Sequence, residues 1–369
     1  MNFKKLILAA AIVLSMANGI AQNVIASGNC GANGNNLTWV LTSDSVLTIS
    51  GNGTMQNYSF SPNSAPWNFY YRDITTAIIG NGITTIGSFA FLDCINLTSV
   101  TIPNSVTTIG NLAFGGCINL TSVTIPNGVI YIDGAAFQNC SNLTSVIIPN
   151  SVTIIGPSAF SGCSNITSVT IGNSVIIINA EAFRDCSNLT SVTIGNSVTT
   201  IGAKAFRNCS NLTSVTIGNS VTNIEAEAFY SCRKLSSITN LNPVPVVIAS
   251  NVFIAVRIPA CTLKVPTNAV SAYQNANVWK DFIIEGISVN VNDYYTDNTP
   301  VIVSPNPATT DLHVSLGSQQ TANYSVYSIN GKIIMQGTVE DNAVINVKPL
   351  TKGMYFLRVG NKTVKIIKN

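Results

Sequence analysis

The stretch "CSNLTSVTIGNSVTTIGAKAFRN", residues 186–208, is followed at once by a near copy that begins "CSNLTSVTIGNSVT". The repetition extends well beyond this pair, because cysteines recur every 23 residues from Cys94 to Cys232. The whole unit reads L-x-x-V-x-I-P/G-N-x-V-x-x-I-x-x-x-A-F-x-x-C-x-N. A fixed period of this length predicts a solenoid, in which each unit stacks on its neighbours.

Each unit contains two extended pieces and one tight turn. The segment "LTSVTI" alternates apolar and polar residues and is rich in β-branched side chains, which predicts a short strand. A Pro-Asn or Gly-Asn turn separates it from a second extended piece, "SVTTI". The segment "AFxxCxxL" is too short for a full helix and predicts a single helical or 3-10 turn that buries Phe, Cys and Leu. Neighbouring strands would stack about 4.8 Å apart.

The combination of L-x-x-V-x-I-P with A-F-x-x-C resembles the BspA-like (treponemal) subclass of the leucine-rich repeat family. The resemblance covers about residues 74–266. It implies a mainly β leucine-rich-repeat solenoid with a parallel β-sheet on the concave face. Members of the family are mostly surface or secreted bacterial proteins, and several are adhesins. The resemblance therefore implies a non-catalytic module that binds an extracellular protein or glycan.

Both ends of an open solenoid expose its core and its strand edges, so caps are needed. Residues 22–73 predict an N-terminal cap made of a hairpin and a short helix. Residues 267–287 predict a C-terminal capping helix with Tyr273 and Trp279 on its apolar side. Residues 288–301 lose both the repeat and the apolar period, and we interpret them as a linker.

The N-terminus has the pattern of a secretory signal peptide. Two lysines precede the apolar run at residues 6–16, and small side chains precede Gln22. We expect a signal peptide over residues 1–21, cleaved between Ala21 and Gln22. The run is too short for a stable membrane anchor, and no later run is long and apolar enough for a transmembrane helix. The predicted location is secreted, extracellular or on the outer cell surface.

Residues 302–369 change character, because short alternating strands separated by turns predict a small Ig-like β-sandwich. The set "SPNP", "YSINGK", "TKGMYFLRV" and a Lys-rich last strand resembles the type A C-terminal sorting domain of the type IX secretion system. The resemblance implies contact with the type IX secretion machinery and removal of the domain after export. The residues that carry it are Pro305, Asn306, Pro307, Gly331, Gly353, Tyr355 and Lys365.

Composition and motifs give no support for catalysis. Charged residues make up only 9% of the chain and the net charge is +3, which leaves no electrostatic footprint for nucleic acid. The single histidine, His313, lies outside the repeats, so no Ser-His-Asp or Cys-His pair forms within them. Neither C-x-x-C nor H-E-x-x-H occurs. We expect no enzyme activity, no cofactor, no metal and no nucleic-acid partner.

The serine and threonine columns are the candidate ligand surface. Alternation along "LTSVTI" places them on the outward side of each strand as a flat, uncharged array of hydroxyl groups. Three interpretations remain open: contact with an extended protein or glycan, a surface scaffold without a specific ligand, and binding of ice or ordered water. The candidate residues are Ser99, Thr101, Ser122, Thr124, Ser145, Ser168, Thr170, Ser191, Thr193, Ser214 and Thr216.

The repeated cysteine is the remaining question. Equivalent cysteines of stacked repeats would lie about 5 Å apart, within the range of disulfide geometry, and an exported protein meets oxidising conditions. An odd number in one column and parallel side chains aimed into a core favour free, buried thiols instead. We predict an inert structural ladder, while the redox state of Cys30 and Cys261 stays open. The ladder is Cys94, Cys117, Cys140, Cys163, Cys186, Cys209 and Cys232.

Overall fold

The computed structural model describes residues 23–288, 302–316, 321–328, 333–359 and 362–369. The predicted signal peptide with Ala21 and Gln22, nearly all of the predicted linker, and Gly331 lie outside these residues. The chain divides into two compact units. The repeat unit extends to Glu285 without Pro266–Asn268, and the C-terminal unit combines that short segment with the chain from Gly286 onward.

The repeat unit is a leucine-rich-repeat solenoid, which confirms the predicted fold class. The strands of "LTSVTI" and their neighbours in the caps form two sheets. Pairing is antiparallel among the first three strands and parallel through the repeats, with each residue opposite its equivalent one repeat away. The five-stranded sheet contains, in order, Val24–Gly31, Gly34–Thr42, Val46–Gly51, Thr76–Ile79 and Ser99–Thr101. The seven-stranded sheet contains Ser145–Ile147, Ser168–Thr170, Ser191–Ile194, Ser214–Ile217, Ser237–Asn240, Thr262–Pro266 and Ile283–Ile287.

The predicted continuous sheet is interrupted between these two pieces, where Ser122 and Thr124 belong to no strand. The repeats still stack there, because the N–H of Thr144 donates to the carbonyl of Thr121 over 3.2 Å. The strands on either side, Ser99–Thr101 and Ser145–Ile147, are followed by Pro103 and Pro149, just as the interrupted segment is followed by Pro126. The proline therefore does not account for the interruption.

The second extended piece of each repeat forms a separate parallel sheet, as the unit predicts. Its strands are only two to four residues long, and each isoleucine that ends one is buried. This eight-stranded sheet contains Gly53–Thr54, Ile83–Ile86, Thr108–Ile109, Tyr131–Ile132, Ile154–Ile155, Ile177–Ile178, Thr200–Ile201 and Asn223–Ile224.

The A-F-x-x-C segment is a hydrogen-bonded turn in every repeat. In the first copy, the N–H groups of Phe91 and Asp93 donate to carbonyls of the next repeat, each over 2.7 Å. The N–H of Cys94 instead closes a turn onto the carbonyl of Phe91 over 3.1 Å. Because alternate N–H groups point along the solenoid and back into the turn, the segment satisfies its backbone without forming a helix.

The core is a set of side-chain columns that run through the repeats. The phenylalanine rings from Phe91 to Phe253 stack with centroids 5.0–5.4 Å apart and planes within 9° of parallel. Each ring is almost completely buried. Uniform stacking from Phe91 to Phe229 follows from a repeat of constant length. Phe253 continues the column although it lies 24 residues after Phe229.

Tryptophans close both ends of the phenylalanine column. The ring centroid of Trp67 lies 5.7 Å from that of Phe91. The indole N–H of Trp67 donates to the carbonyl of Ala90 over 2.7 Å. In the later repeats the corresponding donor is a phenylalanine backbone N–H. The N–H of Phe91, for example, donates to the carbonyl of Ala113. At the other end, the ring centroid of Trp279 lies 5.6 Å from that of Phe253.

The predicted C-terminal capping helix is much shorter than residues 267–287. The α-helix spans only Val270–Asn275, with 3-10 turns at Thr267–Ala269 and Trp279–Asp281. Ala276 is extended and Val278 has a positive φ of 70°, so the helix cannot continue. At the N-terminal end, the predicted short helix is a single 3-10 turn, Asn68–Tyr70.

The C-terminal unit is β-rich, with two sheets that share one core of residues such as Leu312, Val314, Val326 and Leu357. The three-stranded sheet contains Ile302–Ser304, Asp311–Ser315 and Ala343–Asn346. The four-stranded sheet contains, in order, Ile333–Glu340, Thr321–Ser328, Gly353–Val359 and Lys362–Lys368. Pairing is antiparallel in both sheets.

Candidate functional site

The candidate ligand surface lies on the outward side of the first strand of each repeat. Nine of its eleven residues are exposed, and the other two, Ser214 and Thr216, are half-buried. The valines between them point into the core. We call these eleven residues the hydroxyl face: Ser99, Thr101, Ser122, Thr124, Ser145, Ser168, Thr170, Ser191, Thr193, Ser214 and Thr216.

Strand register aligns the hydroxyl face into two columns. Ser168 pairs with Ser191, and Thr170 pairs with Thr193, each opposite its equivalent in the next repeat. Parallel strands of a sheet lie about 4.8 Å apart, so hydroxyl groups recur at that spacing along each column. Within one strand, the serine and the threonine occupy alternate positions on the same side.

The side chains of the hydroxyl face make no hydrogen bond to any residue that the structure describes. The neighbouring threonine column behaves differently. Thr167 and Thr190 each donate a side-chain hydroxyl to the carbonyl of the equivalent threonine one repeat earlier, over 3.3 and 3.1 Å. Hydroxyl groups of the two kinds thus have separate roles, since one column ties repeats together and the hydroxyl face stays open to solvent.

The surface extends beyond the residues of the hydroxyl face. Ile147, which replaces a threonine in the column as the sequence shows, is 66% exposed. Ile78, which sequence reasoning missed, is also exposed. Thr262 and Lys264 extend the two columns at the C-terminal end, opposite Ser237 and Thr239. The strand at Thr262–Pro266 follows an irregular insertion, so its register could not be read from the 23-residue period.

All nine cysteines are buried and unbridged. In the ladder each thiol, from Cys117 to Cys232, donates to the carbonyl of the phenylalanine 26 residues earlier, over 3.1–3.3 Å. Burial raises the pKa of Cys94, Cys140 and Cys232 to about 12. Thiols are nucleophilic only as thiolates, so this environment suppresses their reactivity.

The charged residues of the repeats lie in the turns, away from the hydroxyl face. Glu181 accepts a hydrogen bond from Arg184 over 3.1 Å and lies 4.0 Å from Lys204. Arg207 binds Glu227. Partly exposed ion pairs of this kind contribute about 0–1 kcal/mol each, so they add little to stability.

His313 is exposed on the strand Asp311–Ser315 of the C-terminal unit. No group of three or more potential metal-binding side chains occurs among the described residues. Over the same residues, no helix has the length and apolar character needed to cross a membrane.

The residues of the predicted sorting signal fall at two places in the C-terminal unit. Pro305, Asn306 and Pro307 form a loop that docks on the last strand, because the Asn306 side-chain oxygen accepts the N–H of Ile367 over 2.8 Å. Tyr355 is buried and donates its hydroxyl to the carbonyl of Thr351 over 3.0 Å. Gly353 begins one strand, and Lys365 lies on the next.

Stacked parallel strands, a buried phenylalanine column and a separate β-rich unit define a bacterial-type leucine-rich-repeat protein with an appended domain. The family model described as "BspA type Leucine rich repeat region" matches residues 67–190 and 153–278, in six copies. These matches cover more than half of the chain, and the protein belongs to this family. A second model, "Secretion system C-terminal sorting domain", matches residues 303–369.

Several solved bacterial structures are similar at low identity. A leucine-rich repeat protein from Eubacterium ventriosum is 23% identical, with 65% of this chain and 78% of that chain covered and a TM-score of 0.37. The Treponema pallidum leucine-rich repeat protein is 24% identical, covering 61% and 91%, with a TM-score of 0.36. A Bacteroides ovatus leucine-rich repeat protein is 20% identical, covering 71% and 92%, also at 0.36. No curated protein matches.

The two family matches together identify the chain as a secreted or cell-surface protein. The sorting domain is of the kind recognised by the type IX secretion system, which implies contact with that machinery.

Proposed function

We propose that the protein is a non-catalytic adhesion or recognition module whose hydroxyl face contacts an extracellular protein or glycan. Export would begin with the signal peptide and end with the sorting domain, so that the repeat unit works outside the cell. The ligand-binding role goes beyond family membership and rests on the properties of the surface itself.

The observation that carries the proposal is the contrast between two exposed threonine columns. The hydroxyls of Thr167 and Thr190 donate to backbone carbonyls. Three residues further on, the hydroxyls of Thr170 and Thr193 are exposed and make no hydrogen bond to a described residue. Hydroxyls that neither support the fold nor lie buried are available to a partner. A hydroxyl both donates and accepts hydrogen bonds, which suits the mixed donors and acceptors of a glycan or of an extended peptide.

Two features distinguish this proposal from the other interpretations of the surface. A lattice that orders water needs unbroken regularity, and exposed Ile147 and the interruption at residues 122–124 break it. Lys264 adds a cation at the end of an otherwise uncharged column, where it offers a charged contact to an anionic group of a partner. Both features favour recognition of a partner.

The test is a binding screen of the full chain against panels of immobilised extracellular-matrix proteins and glycans. The variant Thr170→Lys/Thr193→Lys/Thr216→Lys places three long cations across the hydroxyl face. Binding of the panel member that captures the wild type should fall at least tenfold in this variant, because the added side chains block the approach and remove three hydroxyls.

The matched control places the same three cations next to strands of the other sheet, as Ile130→Lys/Ile176→Lys/Thr222→Lys. These positions are exposed, and among them only Thr222 donates a side-chain hydrogen bond, to the carbonyl of Thr199 over 3.3 Å. Because the loss of one exposed hydrogen bond is small, the control should fold and bind like the wild type. Equal loss in both triple variants, or unchanged binding in the first, would move the binding site away from the hydroxyl face. Failure of every panel member to bind the wild type would favour the scaffold interpretation.

A further inference from the structure

A second candidate site lies in the N-terminal cap, away from the hydroxyl face. A cleft of about 220 Å³ opens between the turn at residues 59–63, the 3-10 turn Asn68–Tyr70 and the first A-F-x-x-C turn. Pockets for drug-sized ligands measure about 300–1,000 Å³. The smaller volume suits a single ring-sized ligand unit.

Asp93 lines this cleft with a carboxylate that has no partner among the described residues. Asp185, the equivalent residue four repeats later, has a carboxylate with hydrogen-bond and ion-pair partners. Asp185 accepts a hydrogen bond from Asn208 of the next repeat over 2.7 Å and lies 3.1 Å from Arg184. The next repeat after Asp93 instead has Gly116, where a Cβ would lie 2.1 Å from the Asp93 oxygen.

Aromatic rings form the walls of the cleft. Phe60 is 68% exposed and packs against Phe89 in a T-shaped arrangement, with ring centroids 5.1 Å apart. Phe89 is the only aromatic residue at its position in the repeat, where later copies have Leu112 through Glu227. An exposed ring beside a carboxylate that accepts no hydrogen bond from a described residue is suited to a ligand that has both an apolar face and hydrogen-bond donors.

The remaining lining decides which ligand chemistry fits. Ser64 and Asn68 contribute neutral groups that donate and accept hydrogen bonds. Tyr71 also lines the cleft, and the guanidinium of Arg72 lies 5.3 Å from its ring centroid. That nearby positive charge disfavours a cationic ligand, although a carboxylate and aromatic rings alone would accept one.

We propose that this cleft binds one neutral sugar residue of a glycan, stacked on Phe60 with two of its hydroxyls donating to the Asp93 carboxylate. A sugar ring has an apolar face of C–H groups for the phenylalanine and adjacent hydroxyls for the two carboxylate oxygens. The inference does not rest on the hydroxyl face, since the two sites share no residue. It gives the protein a glycan site even if the face proves to contact a protein.

Saturation-transfer difference NMR of the full chain with the methyl glycosides of glucose, galactose, mannose and N-acetylglucosamine tests the proposal. At least one glycoside should receive saturation at millimolar concentration. Asp93→Asn and Phe60→Ser should each weaken that binding about tenfold, the loss expected for one charge-assisted hydrogen bond or one stacking contact. Both side chains are exposed, so neither variant should change the thermal unfolding midpoint.

Asp185→Asn is the matched control, because it changes the same position of the turn in a distant repeat and should bind like the wild type. The proposal is wrong if no glycoside binds the wild type, or if the two cleft variants bind as well as the control. It is also wrong if choline binds with dependence on Asp93 while the glycosides do not, since the cleft would then take a cation.

Discussion

From Cys117 to Cys232, each cysteine of the ladder has two partners that explain its repetition. Its backbone N–H closes the turn onto the phenylalanine of its own repeat, and its thiol donates to the phenylalanine carbonyl of the previous repeat, as in Cys163 with Phe160 and Phe137. A small apolar side chain with a weak donor meets both requirements. The repeated residue is therefore explained by packing and hydrogen bonding, without reactive chemistry.

Thiol burial predicts a steep loss of stability in alkali. Burial raises the pKa of Cys94, Cys140 and Cys232 to about 12. The pKa of a cysteine in an unfolded chain is about 8.5. Between these values the unfolded chain releases protons that the folded chain keeps, so the free energy of unfolding falls as pH rises. Below about pH 8 the stabilisation is complete.

The measurement is the thermal unfolding midpoint between pH 7 and pH 11 at constant ionic strength. The wild type should lose stability across this range, and Cys140→Ala/Cys232→Ala should lose less per pH unit because two of the coupled thiols are absent. The same slope in both proteins would show that other groups cause the alkaline instability.

Among the elements, the caps depend on single side chains that imitate a repeat. Trp67 supplies the ring that packs against Phe91 at an interplanar angle of 33°. It also supplies the N–H that the phenylalanine of a preceding repeat would have donated to the carbonyl of Ala90. Tyr273 and Trp279 at the other end likewise donate to the carbonyls of Asn242 and Val246. A side chain that satisfies a buried carbonyl lets the solenoid stop without an exposed backbone edge.

Trp67→Phe tests this role. The substitution keeps an aromatic ring and removes the indole N–H, so the Ala90 carbonyl loses its donor. Leaving a buried acceptor unsatisfied costs about 1–3 kcal/mol, and chemical denaturation should show a loss in that range. Phe69→Ala in the same cap is the control, because Phe69 is 88% exposed and its loss should be almost neutral. A neutral Trp67→Phe would contradict the capping role.

The repeat predicted the solenoid, its two extended pieces and the outward direction of the hydroxyl face, because a constant period fixes core and surface positions alike. It could not predict the end of the capping helix, since neither Ala276 nor Val278 is a residue that normally breaks helices. The cleft of the N-terminal cap could not be predicted from the sequence either. Phe60 and Asp93 line one cleft only because the cap folds against the first repeat.

For the whole molecule, we expect the C-terminal unit to direct export and the repeat unit to act outside the cell. The sorting domain identifies a chain that leaves the cell, and the docking of Asn306 on Ile367 shows how its Pro-Asn-Pro loop is held. Deleting residues 302–369 should leave the repeats folded and abolish display, so cell fractionation should find the shortened chain inside the cell envelope. Unchanged surface display would refute the sorting role.

The central claim is that a partner contacts the hydroxyl face, and the buried thiols make a direct measurement available. The nine native thiols are buried, so a cysteine introduced by Thr193→Cys or Thr222→Cys would be the only thiol open to rapid labelling with a maleimide. The labelling rate is measured with and without the panel member that binds in the screen. The account predicts that this partner slows labelling at position 193 and leaves position 222 unchanged. Protection at position 222 alone, or at neither position, would contradict it.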